Sequence, residues 1–249
     1  MMPGSPNLNN LPKHIALIMD GNNRWAKKNG FPPRLGHRHG AEVAKLIINA
    51  CIRRAIPYVT LFAFSSENWV RPSSEIKSLM ALFLAVLKRR EVLELHNSNV
   101  RLRFIGKRDS FSEKIQIGMN RAEDLTKNNT GTTVIVAADY GGRWDLVNAT
   151  KALAKKICMK EINIDEVNVD VLNKFTSLNG FPDPDLCIRT GGERRLSNFL
   201  LWQFAYTEFY FTNIFWPDFD ESELQLALED YAHRQRRYGG QNKSFRADI

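Results

Sequence analysis

Residues 14–64 hold the reading on which the fold turns: the apolar run HIALIM (14–19), the segment AEVAKLIINACIRR (41–54) and a second apolar run, YVTLFAF (58–64). In the middle segment Val43, Leu46, Ile47 and Ala50 recur at helical spacing, so one face is apolar. The flanking runs have the length of buried strands. A strand, a helix and a strand in this order predict a parallel pair, because parallel strands need a crossover and that crossover is usually helical. The same alternation continues outward, with strands predicted over 100–105, 132–138, 186–189 and 208–211 and helices over 73–97, 112–127 and 144–158. No repeat with a period of about 20–50 residues interrupts it, and no Pro/Gly/Ser linker divides the chain. The expected fold class is therefore α/β: a single domain with a mainly parallel central sheet of about six strands flanked by helices.

Composition bounds the function. Of 249 residues, 43% are apolar and 25% charged, which excludes a disordered or collagen-like chain. Lys and Arg number 35 against 27 Asp and Glu, a net charge of +8, so an anionic partner is expected: phosphates, nucleic acid or an acidic membrane surface. Cys51, Cys158 and Cys187 lie far apart without C-x-x-C spacing, which argues against a disulfide scaffold or zinc site and for a reducing compartment. The longest uninterrupted apolar stretch, 79–87, has nine residues, against roughly 20 for a membrane-spanning helix. The opening MMPGSPNLNNLPK lacks the apolar run of a secretory signal and reads as a flexible leader over 1–13. A cytoplasmic protein is expected.

In an open parallel sheet, ligands bind beyond the carboxyl ends of the strands. Three such ends carry chemistry. The first strand runs into Asp20, Gly21, Asn22, Asn23, Arg24 and Trp25; the second into Ser65, Ser66, Glu67, Asn68, Trp69, Val70 and Arg71; the fifth into Arg189, Thr190, Gly191, Gly192, Glu193, Arg194, Arg195, Leu196, Ser197 and Asn198. The glycine pair of the fifth can turn its N–H groups outward as an anion nest, with a helix dipole behind it from NFLLWQF. Arg189, Arg195 and Ser197 add donors suited to phosphate oxygens. The alternative for the same residues is a charged surface turn with Ser197 as helix N-cap, since that capping preference is strong whatever the function. Asp20 suits Mg²⁺, which takes one or two carboxylates and keeps waters and substrate phosphates, or it simply starts a D-G turn.

Elsewhere the signals are plainer. In GHRHG, expected just before the first long helix, His37 reads as a phosphate donor and His39 as a packing residue. Asp183 and Asp185 belong to a proline turn, and Asp218 and Asp220 to a helix start. The helix over 73–97 is apolar on more than one stripe, so it is either buried on several sides or lines an apolar cavity beside Val100, Leu102 and Phe104. No P-loop, G-x-S-x-G, G-x-G-x-x-G, H-E-x-x-H or D-D-x-x-D occurs.

Taken together, HIALIMDGNNRWAKKNG, GHRHGAE, TLFAFSSENWVRP, YGGRWD, IRTGGERRLSNFLLWQFAYTEFYFT, FWPDFDE and RRYGG resemble, in this order, the cis-prenyltransferase family. The resemblance covers nearly the whole of 14–240, with 241–249 left as a tail. It implies a Mg²⁺-dependent enzyme that adds isopentenyl diphosphate units to an allylic diphosphate such as farnesyl diphosphate. The implied product is a long-chain cis-polyprenyl diphosphate, of which undecaprenyl diphosphate, a lipid-carrier precursor for cell-wall polysaccharide, is the nearest case; a shorter product is the alternative. Asp20 would be the catalytic carboxylate and metal ligand, Glu208 a second metal ligand, and Asn68 would assist proton removal. Gly21, Asn22, Asn23, Arg24, Trp25 and His37 would cradle the allylic diphosphate. Ser65, Ser66, Glu67, Trp69 and Arg71 would form a substrate-binding flap, and Arg189, Arg195, Leu196 and Ser197 would hold isopentenyl diphosphate. Relatives often carry an arginine where this chain has Pro33, so the adjacent Arg34 becomes the substrate-binding candidate. The family implies a homodimer in which Arg237 reaches the neighbouring site; a growing polyprenyl tail needs a dry path, for which 79–87 and 100–104 are the expected walls of an apolar tunnel, and a long apolar product favours peripheral contact with the inner membrane face. From another class, the charge and the cluster Arg234, Arg236 and Arg237 suggest a nucleic-acid-binding protein, against which stands the absence of aromatics interleaved with the basic residues.

Overall fold

Six strands, β1 (His14–Ile18), β2 (Tyr58–Ser65), β3 (Arg101–Ile105), β4 (Thr133–Tyr140), β5 (Leu186–Arg189) and β6 (Glu208–Phe211), pair in the order β3-β4-β2-β1-β5-β6 in a computed structural model that describes residues 11–234. Every pairing is parallel. All strands therefore point their carboxyl ends the same way, and the ends of β1, β2 and β5 come together at one edge. Leader residues 1–10, Arg236, Arg237 and the tail lie outside the described residues.

Both faces of the sheet are covered, so its central strands read as continuous apolar runs rather than alternating ones. Ile15 and Leu17 of β1 point to one side, where α2 (Pro33–Arg53), α3 (Ser73–Val86), α4 (Arg89–Asn97), α5 (Glu113–Thr126) and α8 (Glu221–His233) supply Ile47, Phe83, Val92, Met119 and Leu228. Ala16 and Ile18 point to the other, against Leu178, Phe199, Leu200 and Phe204. That second side is built largely by irregular chain beside α6 (Gly142–Cys158) and the short α7 (Val169–Asn173). At the amino edge, fully buried His14 uses both ring nitrogens. Nδ1 donates to the Pro182 carbonyl (2.6 Å), and Nε2 then accepts from the Thr60 hydroxyl (2.7 Å). Burial drives its pKa down to about 4, so the ring is neutral.

Three local expectations are corrected. The helix expected over 73–97 is two helices, broken at Leu87 and Lys88, where Lys88 is extended (φ −62°, ψ 148°). The break redirects the chain so that Val92 and Leu95 meet the same cavity as Leu79 and Phe83. The first long helix starts at Pro33, ahead of GHRHG, with proline in its favoured first-turn position. Gly36 and Gly40 look like helix breakers in sequence, yet they serve packing. A Cβ on Gly36 would lie 2.2 Å from the Asn22 carbonyl oxygen, so only glycine lets α1 (Asn22–Lys28) approach α2 this closely. Finally, no helix follows Gly192: residues 191–202 run through turns into a short 3₁₀ segment, Gln203–Tyr206.

Candidate active site

Asp20 stands just past the end of β1, and its backbone is fixed before its side chain is. Its N–H donates to the Thr190 hydroxyl (3.0 Å), which itself donates to the Asp20 carbonyl (2.8 Å); that carbonyl also accepts from Trp216 N–H. The carboxylate accepts from Gly21 N–H (2.6 Å) through Oδ1 and from Arg189 Nη2 (2.9 Å) through Oδ2, while Arg24 Nη2 lies 3.1 Å from Oδ1. Burial pushes the carboxyl pKa up, but the hydrogen bond and charge of Arg189, with Arg24 behind it, outweigh this and hold it below the ordinary value. Asp20 is thus an anion, 29% exposed, that spaces two arginines at the sheet edge.

Arg189 is only 3% exposed. Its Nη1 donates to Ser197 Oγ (2.7 Å) and to the Arg195 carbonyl, and its Nε is buried without a partner. Ser197 (φ 50°) and Asn198 (φ 60°) both hold the left-handed backbone conformation, a strained choice for residues other than glycine. It turns the Ser197 hydroxyl back onto Arg189, so Ser197 is no helix N-cap. The glycine pair is not an outward anion nest either. Gly191 N–H donates to the Ile214 carbonyl (2.7 Å) and Gly192 N–H to Thr212 (2.9 Å). What Gly191 supplies is clearance: a Cβ there would meet Arg24 Nη2 at 2.7 Å. Arg24 also lies over the Phe215 ring (5.4 Å), and Glu193 pairs with both Arg24 (3.5 Å) and Arg195 (2.5 Å).

From Asp20 a cavity of about 660 Å³ runs down between the sheet and α2–α4. Its mouth is polar: Asp20, Gly21, Asn22, Asn23, Arg24, His37, Asn68 and Arg71. Beyond it the wall is mainly apolar, with Leu79, Phe83 and Val92 on the helices and Leu102, Phe104 and Val136 on the sheet; Arg38, Glu42, Lys45 and Glu91 also line the cavity, Lys45 paired with Glu91 (3.3 Å). Val100, expected in that wall, is fully buried and does not line it.

The turn after β2, Ser66–Val70, contributes Asn68 to the mouth. Asn68 Oδ1 accepts from Ser65 N–H (3.0 Å), closing a capping box, which commits the amide oxygen and leaves the NH₂ as the group offered to the cavity. The Glu67 carboxylate accepts from Ser65 Oγ, Ser66 Oγ and Asn198 Nδ2 (2.6 Å). Trp69 donates to the buried Asp139 (2.9 Å), so the indole anchors the turn and is not among the groups lining the cavity.

Other expected residues lie elsewhere. Trp25 is buried, donates to Asp218 (2.6 Å) and stacks on His39 (centroids 4.9 Å apart), outside the cavity lining. Arg34 is exposed in the first turn of α2 and does not line the cavity. Leu196 packs against the apolar cluster on the other face. Glu208 pairs in register with Leu186, three residues before Arg189, so it sits roughly 10 Å down the sheet at about 3.3 Å per residue. Its carboxylate binds Arg234 (2.8 Å). Within one chain Asp20 and Glu208 cannot share an ion, and no group of three or more metal-binding side chains occurs among the described residues.

Two further residues organise the side chains around the site: Glu75, which the sequence reading did not single out, and Asn198, which it placed at the fifth strand end without a role. Glu75, in the first turn of α3, accepts from Asn23 (2.9 Å) and Arg71 (2.7 Å) and lies 3.5 Å from His37 Nε2. Burial and then the Arg71 charge lower the His37 pKa, so its ring is neutral near pH 7. Asn198 accepts from Arg143 N–H (2.9 Å) on its side-chain oxygen and from Gly142 N–H (2.6 Å) on its carbonyl. Glu75 reads in sequence as an ordinary acid at a helix start and Asn198 as an ordinary turn residue, so neither announces itself.

Residues 18–239 match the Prenyltransf family, described as "Putative undecaprenyl diphosphate synthase". The chain is 49% identical to the ditrans,polycis-undecaprenyl-diphosphate synthase ((2E,6E)-farnesyl-diphosphate specific) of Vibrio cholerae, over 92% of this chain and 91% of the relative. It is 46% identical to the Pseudomonas aeruginosa protein of the same name, over 96% and 94%. Among solved structures, lavandulyl diphosphate synthase from Lavandula x intermedia, in complex with dimethylallyl diphosphate, superposes with a TM-score of 0.90 at 36% identity, covering 93% of this chain and 99% of that one. A Campylobacter jejuni protein described as a probable undecaprenyl diphosphate synthase superposes at 0.74 with 32% identity, covering 92% and 98%.

Proposed function

This chain belongs to the undecaprenyl diphosphate synthase family of prenyltransferases, and from that premise we propose that it extends farnesyl diphosphate with isopentenyl diphosphate units to undecaprenyl diphosphate. The observation that carries this reading beyond the family is the cavity: Asp20, Arg24, His37, Asn68 and Arg71 gather at its mouth, and most of the remaining wall is apolar, with Lys45 neutralised there by Glu91. That shape suits a molecule with a diphosphate head and a growing hydrocarbon tail, and not a nucleic acid. Arg234, one of the cations that suggested nucleic acid, is bound to Glu208 and Asp230.

In the proposed reaction the allylic diphosphate lies against Gly21, Asn22, Asn23, Arg24 and His37, with neutral His37 as a hydrogen-bond donor rather than a charge. Isopentenyl diphosphate lies on Arg189, Arg195 and Ser197. The allylic C–O bond breaks as the double bond of isopentenyl diphosphate attacks the allylic carbon, and loss of one proton forms the new cis double bond. Arg24, beside the departing diphosphate in this reading, supplies stabilisation where charge develops. Asn68 is not the base: its oxygen is committed to Ser65, and an amide is hardly basic. Its NH₂ is left to orient the released diphosphate or a water that takes the proton. Asp20 fits Mg²⁺ through a single partly exposed carboxylate completed by substrate phosphates; the ion, when bound, supplies further neutralisation of the leaving group. The apolar depth of the cavity takes the tail, as a tunnel.

The same reading places the enzyme in the cytoplasm as a homodimer, touching the inner membrane face to release its apolar product. Edge strand β6 supports the dimer, since its Phe209, Tyr210 and Phe211 are only half buried. No helix among the described residues is long and apolar enough to cross a membrane.

The test is incubation of the purified protein with farnesyl diphosphate, labelled isopentenyl diphosphate and Mg²⁺, with lipid products sized by chromatography. A ladder ending near eleven isoprene units is expected. A ladder ending short keeps the chemistry and overturns the product; no metal-dependent lipid from folded protein overturns the function.

A further inference from the structure

The segment from Ser65 to Glu75 touches both head sites, and each contact is made by a residue that would not itself bind substrate. At one end the Glu67 carboxylate accepts from Asn198 Nδ2 at 2.6 Å. Asn198 follows Ser197 directly, and Ser197 holds Arg189. The Asn198 amide cannot turn over freely, because its Oδ1 accepts from Arg143 N–H. At the other end Glu75 gathers Asn23 from α1 and Arg71 from the segment, and lies beside His37 from α2. Glu67 and Glu75 are acceptor-only anions next to sites that must receive diphosphates, so direct contact with substrate would be repulsive. Both are also held in their charged form: burial raises their pKa values, but Ser65 and Asn198 around Glu67, and Asn23 and Arg71 around Glu75, hold them below the ordinary carboxylate value.

We infer that Asn198 and Glu75 are positioning residues that pin the two ends of this segment to different head sites, Asn198 to the isopentenyl side and Glu75 to the allylic side. Each therefore acts on one substrate alone. The inference rests on the transferase reading above.

The experiment measures KM for each substrate and kcat in Glu75→Gln and Asn198→Asp. Both changes keep side-chain size. Asn198→Asp keeps the left-handed backbone, which Asn and Asp tolerate, and the acceptor for Arg143, but sets a carboxylate against Glu67. Loss of one charge-assisted hydrogen bond predicts about a tenfold effect. Glu75→Gln should raise the KM of farnesyl diphosphate about tenfold with that of isopentenyl diphosphate unchanged, and Asn198→Asp should do the reverse. A general loss of order would raise both constants or lower kcat alone, so either result overturns the inference, as do unchanged constants. If one variant does not fold, Asn198→Gly, which relieves the backbone conformation, or Glu75→Asp takes its place. Lack of prenyl transfer in the unmodified protein would instead overturn the underlying reading.

Discussion

Replacing Asp20 with Asn alters one atom of the side chain and removes one of two acceptors that the fold uses. The carboxylate serves Gly21 N–H through Oδ1 and Arg189 through Oδ2. An amide has a single oxygen, so one of these donors is abandoned, and an Asn kept on Gly21 turns its NH₂ toward the guanidinium. Leaving a buried donor unpaired costs about 1–3 kcal/mol. Because the Asp20 side chain is 29% exposed, solvent screening favours the lower half of that range. Arg24, 44% exposed, adds a few tenths at most. The sum is about 2 kcal/mol, or a fall in Tm of about 4–8 °C for a chain of this size. Differential scanning calorimetry at pH 7, without diphosphate, reads it directly. The folded pKa of Asp20 is depressed, so its contribution is complete above the unfolded value and is lost as pH falls through the folded one. The gap between the two proteins should therefore stay level from pH 5 to 8 and close only below about pH 4. Turnover should fall at least a hundredfold or so, the scale of losing one preorganised electrostatic contact. Equal Tm values together with retained turnover would refute the role of Asp20 as the spacer of Arg24 and Arg189.

Three further outcomes follow from other parts of the molecule. His14 is neutral in the fold at a pKa of about 4 against 6.5 unfolded, so the unfolded state takes up its proton first and stability should drop by about 3 kcal/mol as pH falls from 6.5 to 4; urea titrations should show that slope vanish in His14→Gln, and a persisting slope would assign it elsewhere. Gly36→Ala puts a Cβ 2.2 Å from the Asn22 carbonyl oxygen, and the overpacking, about 1–3 kcal/mol, should exceed the gain of about 1 kcal/mol in helix propensity; a higher urea midpoint would contradict the close approach of α1 and α2. Val136→Phe enlarges a sheet-side wall residue of the cavity and should shift the product ladder to shorter chains at an unchanged KM for farnesyl diphosphate. Unaltered product length would remove Val136 from the path of the tail.

The sheet was legible because its information is local. Five- to eight-residue apolar runs such as those of β1 and β2, spaced by helix-length segments, admit few arrangements other than parallel crossover units. Parallel order in turn gathers the carboxyl ends of β1, β2 and β5, so Asp20, Asn68 and Arg189 could be nominated from their positions after apolar runs. Helix ends were less legible where a residue serves a neighbour. Gly36 and Gly40 look like breakers until α1 is seen against them, and the break at Lys88 has no proline or glycine to mark it. Gly191 and Gly192 carry the composition of an anion nest, but whether an N–H points outward depends on what lies beside it, and here the chain at Thr212 and Ile214 takes both.

The sequence by itself therefore determined the parallel α/β frame, the edge on which chemistry gathers and the family, since each rests on short apolar patterns and on residues next to one another along the chain. Only the tertiary structure decided which side chains face the cavity, and which serve other side chains. It turned Trp25 and Trp69 into anchors, set Glu208 at the far end of the sheet from Asp20, and gave Glu75 and Asn198 their partners. The physical reason is that a hydrogen bond or ion pair is fixed by geometry over a few ångströms, between residues such as Asp20 and Arg189 that stand 169 positions apart in sequence.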